Sequence, residues 1–318
     1  DHAGFDAVFE YVRGVRRPSP AEAQMAIRGL LRGKACDHQI ETVIPEAVQN
    51  GWPLAYALAW ISVAGGDSVM PPWVRHQFPE ASHLVRRLRD KPCADPQCDW
   101  CRTQNDPKTL LTRWFGFDGF RPNPAGPDGK PLQETIVATA LEKTPTLGIL
   151  PTGTGKSVCY QLPALSQFTK TGALTIVISP LVALMADQVE GMLRQGISSC
   201  VTINGMLSMP ERQEALNRVR LGDAAMLLIS PEQLRSPSVR TVLKQREVGY
   251  WILDEAHCVS KWGHDFRPDY RYVGRFIKEF SGDEAPAPIL CLTATAKPDV
   301  IQDITDHFKT KLGIILKL

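Results

Sequence analysis

From about Leu110 onward, short apolar runs alternate with longer amphipathic stretches, and that alternation leaves the chain few folds to adopt. Candidate strands are Leu147–Leu150, Leu174–Ser179, Ala225–Ser230, Tyr250–Leu253 and Ile289–Thr293. Each is short and rich in Leu, Ile, Val or aromatic residues. Between them lie helical segments such as Leu181–Gln195 and Met209–Leu221. Parallel strands need a crossover connection, and a helix is its usual form. The pattern therefore predicts an α/β fold, a parallel sheet covered by helices. Ligands of such sheets collect at the carboxyl ends of the strands. The polar motifs of this chain fall there, each just after one of the runs.

Residues 1–109 read differently, as a mainly α-helical domain ahead of the α/β domain at 110–318. A length of 318 residues suits two domains. Ser19-Pro20-Ala21-Glu22 is a capping box with Pro at the first helical position, and its helix should run to Leu31 or Arg32. Trp52–Ala64 predicts a buried helix, and Ala81–Arg89 another. The longest apolar run, Leu54–Ala64, is too short to span a bilayer, and no stretch reads as a signal peptide. Hydrophobic content of 43% and charged content of 22% are those of an ordinary globular protein. Net charge is only +2, and acidic and basic residues balance within the first 110 residues. Any nucleic-acid binding must then come from local placement of charge. Arg75–Lys91 is the most basic stretch, although a solvated helix face explains it as well. Pro122–Pro131, rich in Pro and Gly, should be an exposed loop.

Thr152-Gly153-Thr154-Gly155-Lys156-Ser157 follows the first candidate strand. Its glycines let backbone N–H groups converge on phosphate oxygens, and the next helix turns its positive end to the same anion. Lys156 should reach the β and γ phosphates, and Ser157 should bind Mg²⁺. The first glycine of the usual spacing is replaced by Leu150, so the match is partial. Its partner is Asp254-Glu255, at the end of another candidate strand. Asp254 can hold Mg²⁺ through water, and Glu255 can orient or deprotonate the attacking water. An acid pair can also cap a helix, but the preceding strand and the upstream Gly-Lys-Ser favour the catalytic reading.

These motifs, with the aromatic and charged loop Cys258–Tyr270 that follows, resemble superfamily 2 DNA helicases of the RecQ type. Other stations agree in order: Phe115–Arg121, Ile178–Leu184 with Asp187-Gln188, Ile229–Leu234 and Leu292–Ala296. The resemblance covers roughly residues 110–318 and implies a RecA-like P-loop domain that binds ATP and Mg²⁺. It implies that Gln133 reads adenine beside Arg121, although Pro122–Pro131 intervenes where the family has the two close. It also implies that His257, Trp262, His264, Asp265, Phe266, Arg267, Thr293 and Thr295 couple hydrolysis to single-stranded or forked DNA. Stacking suits such a motor because every base has a π-face. The implied activity is ATP-dependent 3′–5′ movement or unwinding in the cytoplasm, on nucleoid DNA. The alternative is an ATP-gated DNA clamp or recruitment module without unwinding, one setting being a bacterial DNA-modification or defence system. The family has a second RecA-like domain, and nothing after Ala296 resembles it. The chain, which begins without Met, is therefore expected to belong to a longer protein and to be weakly active alone.

Eight cysteines divide evenly. Cys159, Cys200, Cys258 and Cys291 suit small buried thiols. Cys36, Cys93, Cys98 and Cys101 lie in the helical part, the last three as C-x4-C-x2-C. A DNA motor works in a reducing compartment, which disfavours disulfides. Four thiolates suit either structural Zn²⁺ or an iron–sulfur cluster. One distant cysteine with three clustered ones loosely resembles the [4Fe–4S] arrangement of some DNA helicases and nucleases, and tilts the expectation that way. His38 is an alternative ligand for zinc.

Overall fold

The computed structural model describes residues 2–15, 19–63, 69–261, 266–294 and 297–313. They form two units, one of residues 1–106 with 169–172 and one of the remainder.

The first unit is helical: α1 His2–Val12, α2 Pro20–Leu31, α3 Asp37–Ala47, α4 Gly51–Val63, α5 Pro72–Gln77, α6 Pro79–Arg89 and α7 Asp99–Asn105. The Ser19 capping box forms, with Ser19 N–H on Glu22 Oε2 at 2.8 Å and Glu22 N–H on Ser19 Oγ at 3.3 Å. Helix α4 carries Leu54, Ala57, Leu58 and Ile61 into a core shared with Ile27 and Leu31 of α2 and Leu84 and Leu88 of α6. Helix α6 does not present a uniform basic face. Arg89 turns inward over the Trp60 ring, 5.7 Å from its centroid, and Arg87 pairs with Glu46 at 2.9 Å.

The second unit opens with α8 Pro107–Phe115 and α9 Leu132–Leu141, then runs β1 Thr146–Ile149, α10 Val158–Thr171, β2 Leu174–Ile178, α11 Val182–Arg194, β3 Cys200–Ile203, α12 Met209–Leu221, β4 Met226–Ile229, α13 Pro237–Lys244, β5 Val248–Leu253, α14 Pro268–Ser281, β6 Ile289–Thr293 and α15 Pro298–Leu312. The six strands are parallel in the order β1-β6-β5-β2-β4-β3. Alternate residues take opposite faces. Ile176 and Ile178, Leu227 and Ile229, and Trp251 and Leu253 point to a core shared with α12 to α15. On the other face, Gly148 lies against Ile136 of α9, Gly249 against Gln167 of α10, and Thr202 against Met185 of α11. Coverage on both faces is why the inner strands read as unbroken apolar runs.

Strand β3 was not foreseen. Cys200-Val201-Thr202-Ile203 is short and contains a polar residue, and it forms because its neighbour β4 supplies a ladder from Cys200↔Met226 to Ile203↔Ile229. The register of β1 with β6 pairs Ile149 with Thr293, and that of β5 with β2 pairs Leu253 with Ile178. These pairings bring the loops after β1, β2, β5 and β6 to one edge of the sheet.

Candidate active site

The glycine-rich loop leaves β1 at Leu150, whose N–H bonds Thr293 O of β6 at 2.9 Å. Gly153 and Gly155 have φ of +78° and +79°, a region closed to most L side chains. A Cβ on Gly155 would also stand 2.8 Å from Gln133 Nε2. Gln133 is buried, and its amide bonds both this loop and the backbone of Arg121. Its Nε2 donates to Thr154 O at 2.8 Å and Gly155 O at 3.0 Å, and its Oε1 accepts from Arg121 N–H at 3.1 Å. The Arg121 guanidinium bonds Gly153 O. Thr152 is exposed, and Thr154 Oγ1 bonds Pro151 O at 2.6 Å. The carbonyls of Lys156 and Ser157 accept the N–H groups of Cys159 and Tyr160 and so open α10.

The Pro122–Pro131 segment does not push Arg121 away from Gln133. Gly126 N–H bonds Lys130 O at 2.8 Å, and Leu132 N–H bonds Pro124 O at 2.9 Å. The segment closes on itself and returns the chain to where it left.

Opposite the loop, at the end of β5, Lys156 Nζ donates to Glu255 Oε1 at 2.6 Å. Both side chains are about nine-tenths buried, at 12% and 14% exposure. Glu255 is left-handed, with φ of +49°. Such a conformation is costly for a residue with a side chain, and it persists where surrounding structure overrides it. Glu255 N–H bonds Asp254 Oδ1 at 3.1 Å. His257 Nδ1 lies 3.3 Å from Glu255 Oε2 and 3.1 Å from Thr293 Oγ1. His257 thus joins the acid pair to the end of β6.

Electrostatics separate the two acids. Burial, followed by the neighbouring Glu255 charge, pushes the Asp254 carboxyl up to about 6, and the Lys156 charge opposes the rise. Glu255 is held below the usual carboxylate range by His257 and then by Lys156. The Cys258 sulfur and the Glu255 carboxylate raise His257 to about 10, so its ring is cationic at neutral pH. The site holds one readily ionised carboxylate between two cations and a second, more basic carboxylate beside it.

Three supporting residues escaped the sequence reading. Tyr270, fully buried, places its hydroxyl 2.8 Å from Asp254 O and 3.1 Å from Ile178 O, pinning the loop after β5 to the end of β2. Ser179, just past β2, lies near Asp254 and opposes the rise of its carboxyl. Tyr160 on α10 bonds Gln188 on α11. Each follows a strand or faces a neighbouring helix, but only the pairing of β2 with β5 reveals the contact. Arg267 donates from Nη1 to Pro180 O at 3.1 Å, and Phe266 beside it is 36% exposed. Trp262, His264, Asp265 and Thr295 lie outside the described residues.

A second constellation belongs to the helical unit. Cys36, Cys93, Cys98 and Cys101 bring their sulfurs within 4.8 Å of one another, a group that can bind a metal ion. His38 is beside them, with Nδ1 3.8 Å from Cys93 Sγ. The four cysteines of the α/β unit are all buried. No helix among the described residues is long and apolar enough to cross a membrane.

Residues 130–304 match the model of the DEAD/DEAH box helicase family. The chain is 38% identical over 194 residues to the probable ATP-dependent DNA helicase RecS of Bacillus subtilis, covering 61% of this chain and 35% of that protein. It is 42% identical over 197 residues to ATP-dependent DNA helicase RecQ of the same organism, covering 62% and 31%. A solved structure, the DUF1998 helicase MrfA bound to DNA, aligns with a TM-score of 0.50 at 16% identity over 72% of this chain and 30% of that one, a likeness of fold. The chain spans about a third of the length of these curated relatives. The α/β unit has the RecA-like helicase fold, and the chain belongs to the DEAD/DEAH box helicase family.

Proposed function

We propose that this chain is the nucleotide-binding part of a RecQ-type ATP-dependent DNA helicase, which hydrolyses ATP to move with 3′–5′ polarity on single-stranded or forked DNA. The observation that carries this reading is the 2.6 Å contact between Lys156 and Glu255, residues 99 positions apart. A cation at a phosphate loop and a carboxylate after a strand meet where the γ-phosphate of ATP has to sit. The names of the relatives, ATP-dependent DNA helicases, support the same conclusion.

The geometry suggests how the parts would act. Phosphate oxygens of ATP compete with Glu255 for Lys156. Glu255, released from that pair, turns its carboxylate to the attacking water and stays ionised because His257 remains cationic beside it. Mg²⁺, held by Ser157 and by Asp254 through water, would neutralise charge on the phosphates. Gln133 and Arg121 keep the loop closed from behind, and for Gln133 to meet the adenine edge its amide must let go of Thr154 O and Gly155 O. His257 passes the state of Glu255 to Thr293, and thence to the Thr295 segment. The family resemblance assigns Trp262, His264, Asp265, Phe266 and Arg267 to contact with the DNA strand, and of these the exposed Phe266 has the face for stacking, which tolerates any sequence. The α/β unit is the motor domain, and the helical unit with its thiolate cluster, of zinc or iron–sulfur type by donor set, is an accessory domain.

The test is made on the protein that contains this chain. Lys156→Ala should reduce DNA-stimulated ATP turnover by about 100-fold or more, and Glu255→Gln should do the same while a fluorescent ATP analogue still binds. DNA-stimulated turnover that survived Lys156→Ala would sink the proposal. Strand displacement by the unaltered protein checks the unwinding itself.

A further inference from the structure

The cysteine cluster of the helical unit is independent of the motor chemistry, and its dimensions say more than its donor set. Around one tetrahedral zinc ion, with Zn–S near 2.3 Å, the sulfurs stand about 3.8 Å apart. Here Cys36 Sγ and Cys98 Sγ are 3.7 Å apart, and all four sulfurs lie within 4.8 Å of one another. In a [4Fe–4S] cluster each cysteine binds its own iron at a corner of a cube. Its sulfurs are held outside the cube and so stand further apart than any two ligands of a single ion. The separations here leave room for one ion and none for a cube.

The local backbone fits thiolates on one ion. Cys36 and Cys98 occupy the N-cap positions of α3 and α7, and neither makes a side-chain capping bond. The Cys36 sulfur is thereby placed beside the first N–H groups of α3, which have no partner within the helix. Cys101 Sγ accepts the N–H of Cys93 at 3.2 Å. Cys36 and Cys101 are buried, while Cys93 and Cys98 stand at the surface side. His38 completes the arrangement from outside. Its Nδ1 is 3.8 Å from Cys93 Sγ, and its Nε2 is 3.6 Å from Asp95 Oδ2. The four sulfurs already suffice for one tetrahedral ion, which leaves His38 to hydrogen-bond the Cys93 sulfur from outside, braced by Asp95.

The cluster also stands past the end of the unit's apolar core, where the chain is otherwise held by polar contacts such as Gln39 Nε2 on Lys91 O at 2.6 Å. That core ends at Leu88, and no side chain of residues 90–106 belongs to it. Four ligands from α3, the following loop and α7 would hold that segment in place of apolar packing.

We propose that Cys36, Cys93, Cys98 and Cys101 bind a single structural Zn²⁺ ion, with His38 as an outer partner of Cys93, and that this ion anchors residues 90–106 to α3. The assignment rests on reading the four cysteines as a metal centre.

The experiment uses the full chain, purified anaerobically from cells supplied with both iron and zinc. Elemental analysis should find one zinc per chain and no visible absorbance, and Cys93→Ser should lose that zinc. His38→Ala should keep stoichiometric zinc but bind it about 10-fold or more weakly in a chelator competition. Cys93→Ser could fail to fold, so the unaltered protein is also stripped and refilled with Co²⁺. Tetrahedral thiolate bands of cobalt at one equivalent support the site. Iron with inorganic sulfide and a brown colour would overturn the single ion and leave the metal centre standing. Folded protein that holds neither metal and takes up no cobalt would overturn both. Loss of all zinc in His38→Ala would make His38 a ligand and overturn the four-cysteine set.

Discussion

Single residues decide how tightly the catalytic loop is held. Glu255 sits in a left-handed conformation that its side chain disfavours, so neighbouring contacts must fix it. Tyr270 is the most direct of them, because one hydroxyl lies between the carbonyls of Asp254 and Ile178. Tyr270→Phe leaves both buried carbonyls without that donor and should cost about 1–2 kcal/mol of stability, measured by urea unfolding of the α/β unit. On the proposed function it should also lower ATP turnover more than nucleotide binding, because the hydroxyl holds the backbone of Asp254. Stability equal to that of the parent protein would show that the hydroxyl carries no weight. Tyr270 was in plain view as the last residue of the loop after the acids. Its role was not, because its partner Ile178 comes from another strand.

At the scale of elements, α14 and α15 meet at a histidine. His307 of α15 is buried, and a Cβ on Gly274 of α14 would stand 2.6 Å from its Nε2. That nitrogen has no hydrogen-bond partner among the described residues. Burial, then the charges of Arg271 and Lys311, lowers His307 from 6.5 to about 4, with Asp303 opposing. The unfolded ring takes its proton near 6.5, so between these values the unfolded state binds more protons than the folded one. Stability is full above that range and is lost as pH falls toward 4, by about 2 kcal/mol near pH 5. His307→Gln should flatten this dependence when urea midpoints are compared at neutral and mildly acid pH. An unchanged slope would mean that another group titrates. The strands tell a similar story of neighbours. Leu174–Ile178 and Ile289–Thr293 were legible because both faces are covered and, but for one threonine each, their sequences are apolar. Cys200–Ile203 was not, because its pairing with β4, more than its own composition, makes it a strand.

Among the described residues the two largest cores are one helical and one built on the sheet. If one zinc ion anchors residues 90–106, its removal should act on one core alone. Calorimetry with a strong chelator should lower one unfolding transition by about 10 °C or more and leave the other in place. A uniform shift of both transitions, or of neither, would contradict this. The motor reading is also a property of the whole. The site joins side chains from the loops after β1, β5 and β6, and only a parallel sheet delivers all three to one edge.

The sequence by itself determined the fold class and five of the six strands, and it singled out the glycine-rich loop and the acid pair as the candidate site. Periodicity and loop chemistry are local, and a local reading suffices for them. Only the tertiary structure decided what meets what. Pro122–Pro131 separates Arg121 from Gln133 in the chain, yet the segment closes on itself and the two residues bond. Cys36 is 62 positions from Cys98, yet their sulfurs are 3.7 Å apart. The spacing of cysteines in a sequence says how many ligands there are. Only their distances in space say how large an ion they can surround, because coordination is set by the separation of atoms and not by the length of chain between them.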